Sequence, residues 1–194
     1  MIRESKNQKH IKFRKLTPDE IFERQPKLYE LKQRDRTPVY ALIEDIRSMH
    51  NVGSIFRTSD GMGLSKLFLC GYTAKPPRME IDKTALGATE SVPWEYIKNP
   101  IDLINRLKKE GVRVVAVEHT DKSVDYADME YIFPVCFVFG NEVEGVSEDI
   151  ISRADQVIEL PMMGIKHSLN VSVAYGIVMY SAMSQYEKLK SVTA

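Results

Sequence analysis

The sequence predicts an α/β protein: a parallel sheet with helices on both faces. Three observations carry this. Apolar runs of strand length recur at Val39–Ile43, Leu67–Cys70, Val112–Val117, Pro134–Phe139 and Gln156–Leu160. Helical patterns fall between them, and strands alternating with helices give a parallel sheet. Finally, three segments rich in Gly and small polar residues, Asn51–Asp60, Phe137–Ser147 and Leu160–Ser172, each end an apolar run and lead into a helical pattern. That is how an α/β protein builds a site at the carboxyl ends of its strands.

Taken in order, residues 1–15 read as irregular. Thr17 then offers an N-cap, Pro18 the first helical position, and Asp19 and Glu20 acids for the first turn. This predicts a helix from Pro18 to about Arg34, with Ile21, Phe22, Leu28 and Leu31 as its apolar stripe, broken by Thr37-Pro38. Val39–Ile43 is a buried strand, Asn51–Met62 a helix entered through a polar loop, and Leu67–Cys70 a second strand. Pro76-Pro77 opens an irregular stretch ending near Trp94. Pro100–Glu110 is an amphipathic helix with Ile101, Ile104 and Leu107 inside, stopped by Gly111. Val112–Val117, Pro134–Phe139 and Gln156–Leu160 are strands of buried, parallel-sheet type. Ser168 to about Leu189 is the last helix, with Val171, Ala174, Tyr175, Val178 and Met179 on one face. The organisation is a basic N-terminal extension with one helix, 1–38, and a main domain, 39–190.

A chain of 194 residues with 43% hydrophobic and 28% charged residues has the composition of an ordinary globular protein. No apolar run approaches the ~20 residues of a membrane helix. Met1–Lys15 is polar and basic and holds no apolar signal-peptide core, which predicts a cytoplasmic protein. Cys70 and Cys136 each sit in an apolar run without Cys-x-x-Cys spacing, so both are expected to be core thiols. The net charge of zero hides a polarity: residues 1–36 carry 11 Lys/Arg and 6 Asp/Glu, whereas 118–155 carry 2 and 10. A basic arm is either a contact for a phosphate backbone or a solvated terminus.

Several motifs fail on inspection. Gly140-x-x-x-x-Gly145 has phosphate-loop spacing, but Val146-Ser147 follows where Lys is required. Asp60-Gly61-Met62-Gly63 lacks the third Gly of a dinucleotide fingerprint. No His-x-x-x-His or Cys cluster offers a metal site, and His10, His50, His119 and His167 are scattered. The three loops remain. Arg57 suits phosphate or carboxylate gripping by its planar fork, or else a surface salt bridge. Gly140 permits close backbone approach to a ligand, and Glu142 puts a carboxylate at the rim; a plain strand-exit turn would look the same. Ser168-Leu169-Asn170 opens the final helix, where free N–H groups favour anions, or where Ser168 simply caps.

Together the three loops resemble the SpoU (TrmH) family of RNA ribose methyltransferases, from about residue 39 to about residue 188. Asn51, Gly53 and Arg57 match the family's first motif, and Gly140, Glu142 and Gly145 its second. Leu160–Ser172 matches its third, while Leu86-Gly87-Ala88 and Val92-Pro93-Trp94 look like its middle segment. The resemblance implies a C-terminal deep trefoil knot, a homodimer, and S-adenosyl-L-methionine as cofactor. It assigns catalysis to Arg57, Asn51, Glu142, Ser168 and Asn170, with Arg57 central. It assigns cofactor contacts to His119, Thr120, Gly140, Ile158, Leu160 and Leu169, many through backbone, and it assigns no metal. A guanidinium is a poor base, so Arg57 is read as a clamp on the RNA phosphate that also stabilises the developing alkoxide. The short basic arm looks more like the tRNA branch than the rRNA branch, with a D-loop guanosine a frequent target there; neither DNA nor a membrane is expected as partner. An inactive RNA-binding protein of the same fold is the rival reading.

Overall fold

The computed structural model describes residues 13–31 and 33–193, the side chain of residue 193 excepted. Most of the irregular stretch expected at 1–15 lies outside these residues. Contacts divide the chain into two units, one ending at Arg34 and one beginning at Asp35.

In the first unit, helix α1 (Pro18–Arg24) opens on the expected N-cap. Thr17 Oγ1 accepts from the Glu20 amide at 3.3 Å, and Glu20 Oε2 accepts from the Thr17 amide at 2.8 Å, a reciprocal capping box. The single helix expected to reach about Arg34 does not form. Pro26 disfavours helical geometry at the residue before it, and Gln25 is extended, with φ −84° and ψ 139°. A short helix α2 (Leu28–Leu31) follows the break.

The second unit is built on β1 (Thr37–Glu44), α3 (Met49–Gly61), β2 (Leu64–Cys70), α4 (Met79–Ala85), α5 (Ala88–Ser91), β3 (Trp94–Ile97), α6 (Pro100–Lys109), β4 (Arg113–Val117), β5 (Val124–Asp125), β6 (Val135–Phe139), α7 (Glu148–Ile151), β7 (Gln156–Glu159) and α8 (Val171–Thr193). The seven strands form one sheet in the order β3-β2-β1-β6-β4-β7-β5, and every pairing is parallel. Pro38 lies inside β1 rather than ahead of it. The register slips between Thr37 and Tyr40, which accommodates a residue with no N–H to give.

Both faces of the sheet are covered, as the near-continuous apolar strands require. One face packs Val39, Ala41, Ile43 and Phe137 against α3, α4 and α8. The other packs Leu42, Phe68, Val114 and Val138 against α6 and α7. Cys70 and Cys136 are fully buried here, and burial pushes the Cys70 thiol up to about 12. The stretch after Pro76-Pro77 is not irregular. Ile81 and Ala85, one turn apart, bury α4 against the core, and Leu86 and Gly87, both left-handed, end that helix and start α5. The short elements β3, β5 and α7 are additions to the sequence reading.

Candidate functional site

Because β6, β4 and β7 are adjacent and parallel, the segments leaving their carboxyl ends meet. They enclose a cavity of about 310 Å³. Its walls are apolar, formed by Val117, Phe139, Leu160, Leu169, Val171 and Ala174, and four carboxylates (Glu118, Glu142, Glu144 and Glu159) line it as well. The Phe139 ring rests on Tyr175, centroids 4.9 Å apart, so the back wall is braced by α8.

Of the residues assigned to the cofactor, His119, Gly140, Leu160 and Leu169 line this cavity. Thr120 and Ile158 do not. Thr120 holds the turn after β4, accepting from the Lys122 amide at 3.3 Å and from Ser123 Oγ at 2.9 Å. Ile158 is fully buried, and its carbonyl accepts from the Glu118 amide at 2.9 Å, fastening β7 to the exit of β4. Gly140 is demanded by packing: a Cβ there would run into the Gly145 backbone and the Val146 nitrogen.

Of the residues assigned to catalysis, Glu142 and Ser168 line the cavity, and Asn51 and Asn170 join it through a hydrogen-bond chain. Asn51 Nδ2 donates to Glu142 Oε1 at 2.9 Å, and Asn51 Oδ1 accepts from Asn170 Nδ2 at 3.2 Å. Glu142 also accepts from the Arg47 amide at 3.0 Å and the Ser48 amide at 3.2 Å. Partial burial pushes this carboxyl up, but hydrogen bonds from the Arg47 amide, the Asn51 side chain, its own amide and the Ser48 amide outweigh it and hold the group below the ordinary carboxylate range. The last helix starts later than expected. Asn170, not Ser168, caps it: Asn170 Oδ1 accepts from the Ser172 amide at 2.9 Å, and its carbonyl accepts from Val173 and Ala174. Ser48, in turn, caps α3 through the Asn51 amide at 3.3 Å. Arg57 projects from α3, exposed, and makes no hydrogen bond or ion pair with any of the described residues.

Sequence reasoning missed the acids that hold these loops. Buried Glu44 accepts from the Ser147 amide at 3.0 Å and from Ser147 Oγ at 2.8 Å. Glu118 accepts from the Val146 and His119 amides at 2.9 and 2.8 Å. Glu159 accepts from Ser123 Oγ at 2.5 Å and lies 3.2 Å from His119 Nδ1; Ser123 first, then His119, draws its carboxyl down. Asn141 Oδ1 accepts from the Val143 and Glu144 amides, tightening the turn from within. A signal was present. Glu44 and Glu159 are the last residues of β1 and β7, and Glu118 follows β4 directly, so each acid closes an apolar run at the same end of the sheet.

A model of the SpoU rRNA Methylase family matches residues 38–180. The chain belongs to this family. It is 33% identical over 163 residues to the tRNA (guanosine(18)-2′-O)-methyltransferase of Aquifex aeolicus (strain VF5), covering 84% of this chain and 76% of that relative. Among solved structures, the A. aeolicus TrmH/SpoU tRNA modifying enzyme superposes with a TM-score of 0.77 at 31% identity, covering 84% of both chains. An AdoMet-bound rRNA methyltransferase from Sinorhizobium meliloti gives 0.72 at 30% identity, over 79% of this chain and 59% of that one. The family match spans the three loops and every strand of the sheet but for Thr37 at the start of β1, so motif and architecture agree in this SpoU protein.

Proposed function

We propose that this chain is a methyltransferase that uses S-adenosyl-L-methionine to methylate a ribose 2′-hydroxyl of RNA, with tRNA as the favoured substrate and a D-loop guanosine as the target. The observation that carries this reading is the chain Asn170–Asn51–Glu142, which ties the start of α8 and the start of α3 to the cavity rim. Arg57 stands on the same helix with its guanidinium unengaged. The name of the A. aeolicus relative supports the tRNA guanosine, and the rRNA methyltransferase from S. meliloti keeps rRNA as the alternative substrate.

The residues present fit the cofactor. A flat purine suits the apolar walls of Leu160, Leu169, Val171 and Ala174, and a cationic sulfonium and ammonium suit a lining that holds four carboxylates. His119, Gly140, Leu160 and Leu169 would hold it there. Bound in this way, the cofactor supplies an already activated methyl electrophile. The protein's part is alignment and charge. Arg57 grips the phosphate beside the target ribose and stabilises the alkoxide as it forms. The hydroxyl proton passes to that phosphate or to water, because a guanidinium does not take it. Asn51 and Glu142 fix the start of α3, and with it the direction from which Arg57 reaches the substrate.

The same reading includes a cytoplasmic homodimer and a C-terminal deep trefoil knot. It is supported by the convergence of residues 117–119, 139–145, 159–160 and 167–169, with Val171 and Ala174, on one cavity. Exposed Val173 and Tyr180 on α8 offer apolar area to a second copy. No helix among the described residues is long and apolar enough to cross a membrane.

Incubation with methyl-labelled S-adenosylmethionine and unmodified bulk tRNA or rRNA, followed by nuclease digestion and mass spectrometry, tests the proposal. A labelled 2′-O-methylnucleoside is the expected result. The absence of both label and cofactor binding would point instead to an RNA-binding protein that has kept the fold alone.

A further inference from the structure

The exit of β2, on the far side of β1 from the cavity, carries an aromatic side chain that packing does not account for. Tyr72 is 60% exposed, yet nearly everything around it is pinned. Its amide donates to Asp45 Oδ1 at 2.8 Å, and its hydroxyl oxygen accepts from Asn141 Nδ2 at 2.6 Å. The same Asn141 nitrogen donates to the Asp45 carbonyl at 2.8 Å. Thr73, next in the chain and buried, accepts from the Ile46 amide at 3.0 Å and donates to the Ile43 carbonyl at 3.3 Å. On the other flank, Tyr96 Oη donates to the Gly71 carbonyl at 2.7 Å.

The backbone is strained to make this arrangement. Asp45 is left-handed at φ 55°, an uncommon choice for a residue with a side chain. Gly71, at φ 63°, leaves the space that the Asp45 carboxylate fills; a Cβ there would meet that carboxylate. The result is a rigid tyrosine whose ring stays open to solvent. An exposed side chain ordinarily keeps its rotamer freedom, and holding one still is a way of preparing it for a ligand.

Its surroundings indicate the ligand. Asn141 directly precedes Glu142, so Tyr72 stands one residue from the Asn51–Glu142 link. Arg47, two positions after Asp45, is exposed, and its side chain makes no hydrogen bond or ion pair with the described residues. Its amide donates to Glu142 Oε2 at 3.0 Å, and Glu142 follows Asn141, whose Nδ2 donates to the Tyr72 hydroxyl, so one turn ties both residues together. An open aromatic face beside an unpaired cation is the pairing by which proteins take single-stranded nucleic acid, base on ring and phosphate on guanidinium.

We propose that Tyr72 and Arg47 form a nucleotide subsite beside the reaction centre, Tyr72 stacking on a base next to the target ribose and Arg47 holding its phosphate. This rests on the RNA methyltransferase reading. Both are positioning residues: they act on the RNA and touch neither the methyl group nor its acceptor.

The test measures steady-state methylation of unmodified tRNA transcripts together with S-adenosylmethionine binding by calorimetry. Tyr72→Ala is expected to raise KM for RNA by roughly tenfold or more, within the range of one lost base stack, with cofactor affinity within twofold of the parent. Tyr72→Phe, which keeps the ring, should stay within about threefold of the parent. Arg47→Ala should flatten the salt dependence of RNA binding by about one phosphate contact. An unchanged KM for RNA in Tyr72→Ala overturns the subsite, as does a matching loss of cofactor affinity, which would make Tyr72 a prop for the Asn141 turn. A parent protein that methylates no RNA overturns the activity reading, a distinct result.

Discussion

Ser59 and Tyr175 share a hydrogen bond of 2.6 Å between hydroxyls that are both fully buried, joining α3 to α8 across 116 positions. Its direction can be worked out. Ser59 Oγ already donates to the Ile55 carbonyl at 2.7 Å, so Tyr175 is the donor. The two ends of the bond therefore differ in what their removal costs. Tyr175→Phe removes a donor and leaves Ser59 bonded, a loss of about 1 kcal/mol. Ser59→Ala leaves a phenol buried with no acceptor and should cost more, about 1–3 kcal/mol. Urea unfolding of the two variants checks the order.

Arg57→Ala is expected to abolish methyl transfer while cofactor binding stays within a few-fold, because Arg57 is exposed and lies outside the cavity lining. Near-normal turnover in this variant would remove Arg57 from the mechanism.

Glu142 is the meeting point of three N–H groups, from Arg47, Ser48 and Asn51. A glutamine offers one acceptor where two oxygens are used and turns a donor toward donors. Glu142→Gln should therefore loosen the start of α3 and reduce turnover by roughly tenfold or more. The wild-type carboxyl is held below its ordinary value. Its contribution to stability is thus complete above the unfolded carboxyl pKa and is lost as pH falls through the lowered folded value. The stability gap between wild type and Glu142→Gln should be open at neutral pH and close in acid, as read from denaturant midpoints across pH.

Gly140→Ala should be poorly tolerated. The atoms its Cβ would meet are backbone atoms of Gly145 and Val146, which cannot swing aside. Overpacking of this kind costs about 1–3 kcal/mol. The second readout is calorimetric binding of S-adenosylmethionine, expected to weaken because the displaced loop lines the cavity.

Residues 1–36 hold five more basic than acidic residues. If they contact RNA, deleting them raises KM for RNA and flattens its salt dependence. Unchanged RNA affinity would leave the arm without that role.

The strands were the most legible part of the fold, because a buried parallel strand must be apolar on both faces, and β1, β2, β4 and β6 read so; β7, expected to be of the same buried type, carries Gln156 and Glu159 and buries only Ile158 fully. What failed was punctuation. Pro26 divides a helix whose start was read correctly, since a proline's effect falls on the residue before it, here Gln25. Between Pro76 and Trp94 two short helices passed for a loop because neither is long enough to show a period. At the site, the structure brings the motif residues Glu142, Ser168 and Gly140 to one cavity, with Asn51 and Asn170 in contact beside it and Arg57 outside its lining. Glu44, Glu118 and Glu159 were not found, because an acid that ends a strand looks like any solvated residue until its amide partners, up to 103 positions away, are known. Asn170 was named as a site residue, but its capping role was given to Ser168, since both are good caps two residues apart.

The cavity draws its last wall from residues 167–174, and Asn170 closes the link to Asn51 across 119 positions. A ribosome that has released only the first 150 residues has delivered β1, β2, β4 and β6 but neither β7 nor the start of α8. At that point of synthesis there is most of a sheet and an incomplete cavity. The sheet and the cavity are therefore separable in sequence: strands alone make the floor, and the chain after residue 150 supplies the remaining lining, at Glu159, Leu160 and the start of α8.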